Sequence, residues 1–591
     1  MDWTRIDWAR GEGGPIEADL IEAYAKGRIK RRDFLKRGSI IGLSMPLMGS
    51  VIAACGSDDG ESAGTTPPPD ELEGDAGEGE TDSASGTAAE PSQGGTVTWA
   101  NQQGDSSTGL DPVNMLDLGT YNVVSQSFEY LVGVADDGNI GPTALATDWS
   151  PNDTGDVWTF QLREGVKWQD GSDFTSADVA ATMDRLVAKG NSALDGVLAE
   201  GAVDASDPLV AVFTLIEANG NFPVLVSTFN AQSPITPADF SDGTTLDERP
   251  AGTGAWILDD FDASTFTANF SRNPDWWGGT TPLDGITLRG FADIGTAVTA
   301  MTSREIDGIQ QFSVLGGEGL LDDSNFTVLE PPSGNHRQIW FNLDQGQFAG
   351  LDENRLVRQA LAWCWDREQM VSTLFAGRAE IANDHPVVAS LPFFDPDAVE
   401  QRSRDIERAR SLLAEAGVDS VNVECKTGDL QEIPELAAIM QQNAAEAGIT
   451  INVSTQSNST FYEDAWCPAL YTEDAPADGV PCGPSAEFGI VDYGHRPIPD
   501  VFLGSALATN GVWNSSNYSN PDLDQQLSAY RTAVDVEGQT TAIGEIQRIL
   551  WEDVPASYPY FFNYLSGHDA SVSGVVATSL GHCILSGASK A

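Results

Sequence analysis

The clearest pattern of hydrophobic and polar positions in the chain lies between residues 158 and 186. Its first part alternates strictly, with apolar side chains on one face at Trp158, Phe160 and Leu162. This period of two is typical of a strand that buries one face. Gly165 then interrupts the alternation, and the pair Asp170-Gly171 predicts a turn.

The second part of this stretch has the period of a helix. Apolar side chains at Val179, Met183 and Leu186 fall on one helical face. Thr175 or Ser176 is suited to the N-cap position, because a hydroxyl can accept a hydrogen bond from a free N–H group of the first turn. The stretch therefore predicts a strand, two turns and a capped helix.

Helical and extended patterns alternate along the rest of the chain. Helices are predicted from about Tyr121 to Leu131, over Ile406 to Ala416 and over Pro434 to Ala447, the last two ending in Ala-Gly. Short strands are predicted at Val421 to Val423 and at Ile449 to Val453. This alternation favours an α/β fold.

Length and charge narrow the class of protein. A chain of 591 residues is too long for one ordinary domain and predicts two or three. The net charge is −57, from 31 basic and 88 acidic side chains, which argues against nucleic-acid binding because phosphates require Lys and Arg. A well-solvated surface on an exported protein and adaptation to a salty habitat are both consistent with this charge.

The first 93 residues have the features of an export signal and a tether. Arg31-Arg32 followed by Phe34-Leu35-Lys36 resembles a twin-arginine signal. The apolar run over 40–54 is shorter than the about 20 residues of a membrane span. It ends at Cys55 in a sequence similar to a lipobox, which implies cleavage after residue 54 and acylation of Cys55. The alternative is a plain membrane-anchor helix. Residues 56–93 contain no Lys or Arg and few large apolar side chains, so we expect a disordered acidic tether over 55–93.

Several segments together resemble one family. The stretch 158–186 contains a particular set of residues at the family's spacing: Arg163, Gly165, Lys167, Asp170, Gly171 and Asp178. Further matches lie at 252–256, 272–277, 339–342 and 518–524. The chain resembles the extracellular solute-binding proteins of the oligopeptide/dipeptide type (family 5), which supply ABC importers.

The resemblance implies a fold and a role. The expected fold is α/β, two-lobed and periplasmic-binding-protein-like (type II, with the extra domain of the large family-5 members), hinged around a ligand cleft. Lobe I is expected over 94–138, 250–338 and 560–591, an inserted subdomain over 139–249 and lobe II over 339–559. The expected role is capture of peptides by lobe closure and delivery to an ABC permease and its ATPase. We expect a monomer without cofactor, exported and anchored by its lipid to the outer face of the cytoplasmic membrane, in the cell envelope or periplasm.

Catalytic motifs are few. No two of the five His lie three or four residues apart, and no phosphate-binding Gly-Lys-Ser/Thr loop occurs. The one Gly-x-Ser-x-Gly match, at 60–64, lies in the acidic stretch expected to be a tether and not between a strand and a helix, as a nucleophile elbow requires. We therefore predict neither a catalytic site nor a metal site. The acidic composition leaves a glycosidase-type carboxylate pair open, so a secreted hydrolase is one alternative. Within the family, a non-peptide solute such as a nickel complex, sugar or opine is the other.

Two cysteines predict a disulfide. Cys467 and Cys482 bracket a loop rich in Pro, Ala, Asp and Gly, and disulfides persist in exported proteins. The alternative is two free thiols. Cys364 lies on an apolar helix face and is expected to be buried. The sequence does not decide whether Cys425 and Cys583 are free or paired.

The ligand-binding candidates follow the last predicted α/β helix. Trp466, Tyr493 and Trp513 flank a region that lines the ligand in the family, although each ring is also compatible with a place in the core. Asp492 ends an apolar run, and in peptide-binding members an Asp at a matching place pairs with the α-amino group. The chain then departs from the pattern, because His495-Arg496-Pro497 stands where many members have Asp-Pro. Arg496 is placed to meet a ligand carboxylate; alternatively, Asp492 caps a loop or pairs with Arg496.

Replacing Cys55 by Ala tests the anchor. One acyl chain binds a membrane marginally, whereas two or three hold a protein firmly. We expect C55A to remain unprocessed or to be released, as judged by detergent partitioning and apparent mass. Identical behaviour of variant and parent would contradict the anchor. As a separate test of the route, the double variant R31K/R32K is expected to lose export; undisturbed export would indicate the general secretory path.

Overall fold

The fold is built around two large sheets, and the chain passes from one to the other at two places. The structure, a computed structural model, describes residues 92–104, 110–115, 117–135, 138–191, 193–240, 252–471 and 482–591. The predicted signal, Cys55 and the tether up to residue 91 lie outside the described residues. The residues from Gly94 to Lys590 contact one another closely enough to form one compact unit.

The first sheet mixes parallel and antiparallel strands. Thr96–Gln102 pairs in parallel with Gly285–Phe291 and with Gly308–Phe312. In the described part of the chain its strand order is Phe326–Leu329, Leu565–Asp569, Gly308–Phe312, Thr96–Gln102, Gly285–Phe291, Thr267–Arg272 and Trp256–Asp262. Helices Leu118–Ser127, Ile294–Thr302 and Val314–Leu321 accompany it.

The second sheet is the scaffold of the other lobe. Val421–Gly428 pairs in parallel with Ile449–Gln456 and with Phe488–Tyr493. Among the described residues its order is Ala379–Ile381, Tyr560–Phe562, Asn335–Phe341, Phe488–Tyr493, Val421–Gly428 and Ile449–Gln456, with Ala556–Ser557 beside Asn335–Phe341. Its longer helices are Arg355–Cys364, Arg367–Phe375, Ile406–Glu415, Ile433–Ala445, Pro521–Thr532 and Val536–Asp553.

The stretch 158–186 forms the predicted strand–turn–helix unit. Val157–Leu162 lies in a third sheet, antiparallel to Ala146–Pro151 and Val210–Leu215, and Leu198–Asp207 completes this sheet. Thr175 caps helix Ser176–Ala188, and Asp178 accepts a hydrogen bond from the Thr175 N–H at 2.8 Å. This reciprocal capping box fixes where the helix begins.

The chain passes between the two large sheets at two places. It leaves the first sheet at Leu329 and enters the second at Asn335, and it returns between Phe562 and Leu565. The predicted lobe boundaries at 338/339 and 559/560 stay predictions: the first falls inside strand Asn335–Phe341 and the second directly before strand Tyr560–Phe562, both of the second sheet. Every residue of Asn335–Phe341 is buried, so its sequence has no alternation that could reveal which sheet it joins.

Other predicted elements differ mainly at their ends. The helix expected over 121–131 spans Leu118–Ser127, because the Asp117 side chain caps it and Phe128 is extended. The strands expected at 421–423 and 449–453 continue to Gly428 and Gln456. Among the described residues, the three cysteines outside the predicted pair, Cys364, Cys425 and Cys583, are buried free thiols. No helix in the described ranges is both long and apolar enough to span a membrane.

A buried carboxylate, that of Asp384, joins several distant segments of the second lobe. Asp384 accepts from Arg367 Nη2 at 2.8 Å on each oxygen and also pairs with Arg402 and Ser557. Arg402 donates to the Trp551 carbonyl at 2.7 Å. Burial raises the pKa of Asp384, but the two guanidinium groups outweigh it and hold the pKa below its usual value.

Removing this carboxylate is expected to be costly. D384A leaves two buried guanidinium groups without their anion, and we expect the free energy of unfolding to fall by about 3–5 kcal/mol. E407A is the matched control, because Glu407 pairs with Arg410 on the surface and is expected to contribute only about 0–1 kcal/mol. Chemical denaturation compares the two variants, and equal losses would contradict a structural role for Asp384.

Candidate ligand-binding site

The sheet topology brings the carboxyl ends of parallel strands from both large sheets to the two crossovers. In the first sheet, Phe312 at the carboxyl end of a parallel strand lies opposite Leu565, where the chain has just crossed over. In the second sheet, Tyr493 at the carboxyl end of its strand lies opposite His336, next to the other crossover. The parallel strands of both lobes therefore end beside the crossovers. Ligands of open α/β sheets bind beyond the carboxyl ends of the strands.

Asp492 lies at this edge, directly opposite Arg337. The two are register partners of antiparallel strands, whose facing side chains are about 5 Å apart at Cβ. Asp492 is half-buried, and its Oδ1 accepts a hydrogen bond from the Tyr462 hydroxyl. The second carboxylate oxygen retains the capacity to accept further hydrogen bonds.

Arg337 carries a fully buried charge next to Asp492. Its Nε and Nη2 donate to the Glu432 carboxylate at 2.8 and 3.0 Å, and Nη2 also donates to Gln431 Oε1 at 2.7 Å. Burial alone would lower the pKa of Arg337, but the negative charge of Glu432, with Asp492 and Tyr560 nearby, raises it above its usual value. The guanidinium also lies 4.6 Å from the centre of the Phe562 ring.

Arg496 is a cation without a carboxylate partner in the described part of the chain. Its Nη1 donates to the His495 carbonyl at 2.9 Å, and it forms no ion pair with Asp492. Burial lowers the pKa of Arg496, and no neighbouring acidic group opposes that effect. A half-buried guanidinium of this kind is stabilised by an anion that enters the site.

The three aromatic candidates form one layer on the opposite face of the second sheet. Tyr493 follows Asp492 directly, so its side chain points away from that carboxylate. Its ring lies 6.3 Å from Trp466, edge to face, and 5.9 Å from Trp513, stacked. Trp466 and Tyr493 are buried, whereas Trp513 is half-buried. Tyr462 connects the two faces, because it packs against Trp466 and donates to Asp492.

A disulfide lies in the same layer. Cys467 and Cys482 are joined, with their Cα atoms 4.4 Å apart, and both are buried beside Trp340 and Trp466. The bond fixes the segment that contains Tyr462 and Trp466 close to the start of strand Phe488–Tyr493.

Sequence reasoning missed the groups that surround Asp492. Arg337, Glu432 and Tyr462 were not among the candidates. One available signal was Arg337 itself, because a charge inside an otherwise continuous buried strand requires a buried partner. Its partner lies 95 residues away, and no local pattern reveals that pairing. No group of three metal-ligating side chains occurs among the described residues.

Comparison with known families decides what kind of protein this is. The sequence model of the bacterial extracellular solute-binding proteins, family 5 (middle), matches residues 142–473. The chain belongs to this family. The predicted resemblance and the two-lobed α/β fold are confirmed. Family-5 proteins bind solutes outside the cytoplasm for ABC transport and are not enzymes, so the secreted-hydrolase alternative loses its support.

Relatives within family 5 differ in what they bind. The glutathione-binding protein GsiB of Salmonella paratyphi A is 26% identical over 483 residues, covering 80% of this chain and 90% of that relative. The unliganded open form of MppA, a periplasmic murein tripeptide binding protein, superposes with a TM-score of 0.71 at 20% identity, covering 85% and 98% of the two chains. NikA from Staphylococcus aureus in complex with Ni(L-His)2 gives 0.62 at 19% identity, covering 84% and 100%.

Removal of the disulfide in this family-5 protein is expected to destabilise it. Residues 467 and 482 are 15 apart, and a closed loop of that length contributes about 3 kcal/mol in the chain-entropy model. We expect C467S/C482S to lose about that much free energy of unfolding, and unreduced peptide mapping of the parent to yield one linked fragment. Two separately alkylated peptides from the parent would contradict the bond.

Proposed function

We propose that this protein is a lipid-anchored substrate-binding subunit that captures short peptides or peptide-like solutes between its lobes. The observation that carries the proposal is the pair of opposite charges at the carboxyl edge, Asp492 and Arg496, which do not neutralise each other. A solute with both an ammonium group and a carboxylate matches this arrangement. Peptides have both groups, and two of the relatives are named for peptide ligands, glutathione and a murein tripeptide.

Asp492 is proposed to hold the solute's ammonium group. One of its oxygens already accepts from Tyr462, which fixes the direction of the carboxylate. The buried Arg337 lies opposite Asp492, and the Glu432 carboxylate engages its guanidinium nitrogens. The carboxylate therefore stays available to a charge-assisted bond from the ligand.

Arg496 is proposed to hold a carboxylate of the solute. A guanidinium presents donors in a planar fork that matches a carboxylate bidentately. The chain carries a net charge of −57, which repels an anionic group of the solute. A local cation is needed to offset that repulsion. This feature favours solutes with a free carboxylate over neutral ones such as sugars.

The remaining steps follow from two lobes connected by two crossovers. Ligand contacts from both lobes stabilise a closed arrangement of the lobes. The ABC permease, with its ATPase, then binds this closed, ligand-loaded form. The acylated Cys55 holds the protein at the outer face of the membrane. The acidic tether over 56–93 gives the binding domain enough reach to contact the permease. The subunit acts as a monomer.

Calorimetry on a two-by-two set tests the amine anchor. We expect D492N to weaken binding of a free-amine peptide by about 2–5 kcal/mol, because the ligand's ammonium group loses its negatively charged partner. N-acetylation of the peptide should weaken binding to the parent and change binding to D492N little. Trialanine and glutathione, each with its N-acetyl form, serve as probes.

D464N is the matched control, because Asp464 is exposed two residues beyond Tyr462 and should bind like the parent. Equal costs of acetylation in parent and D492N would exclude Asp492 as the amine anchor. If neither glutathione nor any peptide of two to nine residues binds the parent, the peptide assignment falls. Binding of Ni(L-His)2 in that case would place the protein with the nickel-complex binders.

A further inference from the structure

The crossover between the lobes contains a glycine whose N–H and carbonyl each contact a histidine side chain. Gly334 lies between strand Phe326–Leu329 of the first sheet and strand Asn335–Phe341 of the second. Its N–H donates to His495 Nδ1 at 2.8 Å, and its carbonyl lies 2.8 Å from His336 Nδ1. Both imidazoles are buried.

These contacts determine the state of both rings. A backbone N–H can only donate, so Nδ1 of His495 is the bare nitrogen and Nε2 carries the proton. A carbonyl can only accept, so Nδ1 of His336 carries the proton there. Both rings are neutral, and burial is the main reason that the pKa of each is lowered to about 3.

The second nitrogen of His495 reaches the other lobe. Its Nε2 donates to Ser579 Oγ at 2.9 Å, and its ring lies 5.8 Å from that of Phe229. Ser579 belongs to the first lobe: in its hairpin, the Gly581 carbonyl accepts from Gln310 Nε2 at 3.0 Å and the Cys583 N–H donates to Asn122 Oδ1 at 3.1 Å. One side chain therefore joins the second lobe, the crossover and the first lobe.

The same residue is adjacent to the candidate ligand groups. His495 precedes Arg496 and follows Asp492 by three residues, and its own N–H donates to Asn335 Oδ1 at 2.7 Å. Both ring nitrogens are occupied by protein partners, so His495 has no free nitrogen for a solute or a metal ion. His495 is the first residue of the segment His495-Arg496-Pro497, which departs from the family pattern. Its role in this structure is therefore to hold the crossover.

We propose that His495 is a positioning residue that clamps the two lobes together at the crossover and thereby sets the ligand-free cleft opening and the affinity for solute. The loss of one buried hydrogen bond is expected to shift the equilibrium between lobe arrangements by roughly 2- to 12-fold. The clamp does not depend on which solute binds; only the affinity readout rests on the proposed function.

Two substitutions separate the two arms of the clamp. The amide of Asn reproduces the position of Nδ1, so H495N retains an acceptor for Gly334 and loses Ser579. The longer Gln reproduces Nε2, so H495Q retains a donor to Ser579 and loses Gly334. S579A removes the interlobe arm from the opposite side. The matched control is S573A, which removes a hydroxyl–hydroxyl contact of 3.0 Å to Ser589 within the first lobe.

The experiment measures ligand-free protein first. Residues 331–335 begin with two prolines, so a peptide over this segment reports the amides of Ser333, Gly334 and Asn335 alone. We expect hydrogen exchange there to rise in H495Q more than in H495N or S579A. Small-angle scattering should show a larger radius of gyration for H495N and S579A and no change for S573A. The double variant H495N/S579A should resemble either single variant, because both remove the same bond.

Glutathione affinity, measured by calorimetry, is expected to weaken by roughly 2- to 12-fold in H495N and S579A. A radius of gyration equal to that of the parent in both variants, or additive effects in the double variant, would overturn the clamp. If glutathione does not bind the parent, the proposed ligand class fails, and scattering and exchange still decide the clamp.

Discussion

A buried charge at the centre of the second sheet is the constraint on which the candidate site depends. Arg337 is only 1% exposed, in a strand whose every residue is buried. An isolated guanidinium in that position would be prohibitively costly, so its neighbours must supply anions. Glu432 does so from the segment just before helix Ile433–Ala445, and Asp492 does so from the adjacent strand. The position of the helix, the strand register and the direction of the ligand-facing carboxylate are thus linked.

The two crossovers decide where this charge cluster can act. Because the chain connects the sheets at the carboxyl ends of their parallel strands, the groups at these ends face the space between the lobes. Arg337 lies two residues into the strand that follows the first crossover. Its buried charge therefore lies near the carboxyl ends of the parallel strands. His495 holds the same crossover through Gly334, so the electrostatics of the site and the geometry of the lobes are set within a few residues of each other.

Local features of this fold could be predicted from sequence, whereas long-range pairings could not. The strand, turns and capped helix over 158–186 depend on neighbouring residues, and the alternation, Gly165 and Thr175 encode them. Asp492 and Arg337 are 155 residues apart in the chain, and their pairing depends on strand register. Asp492 and Tyr493 appeared together as candidates because they are adjacent, yet strand geometry directs them to opposite faces. The lobe boundaries have no clear sign in the sequence, because a strand buried on both faces does not show which sheet it joins.

Hydrogen exchange of the whole protein with and without a bound peptide tests the central claim most directly. The claim is that solute binds at the carboxyl edge of both sheets, beside the crossovers. Glutathione or trialanine should then slow exchange in residues 429–432 and 494–499 of the second lobe and in 313–316 of the first. The outer helices, such as Ile406–Glu415, and the third sheet should be unchanged. Protection confined to the third sheet or the outer helices, with the carboxyl edges unaffected, would contradict the account.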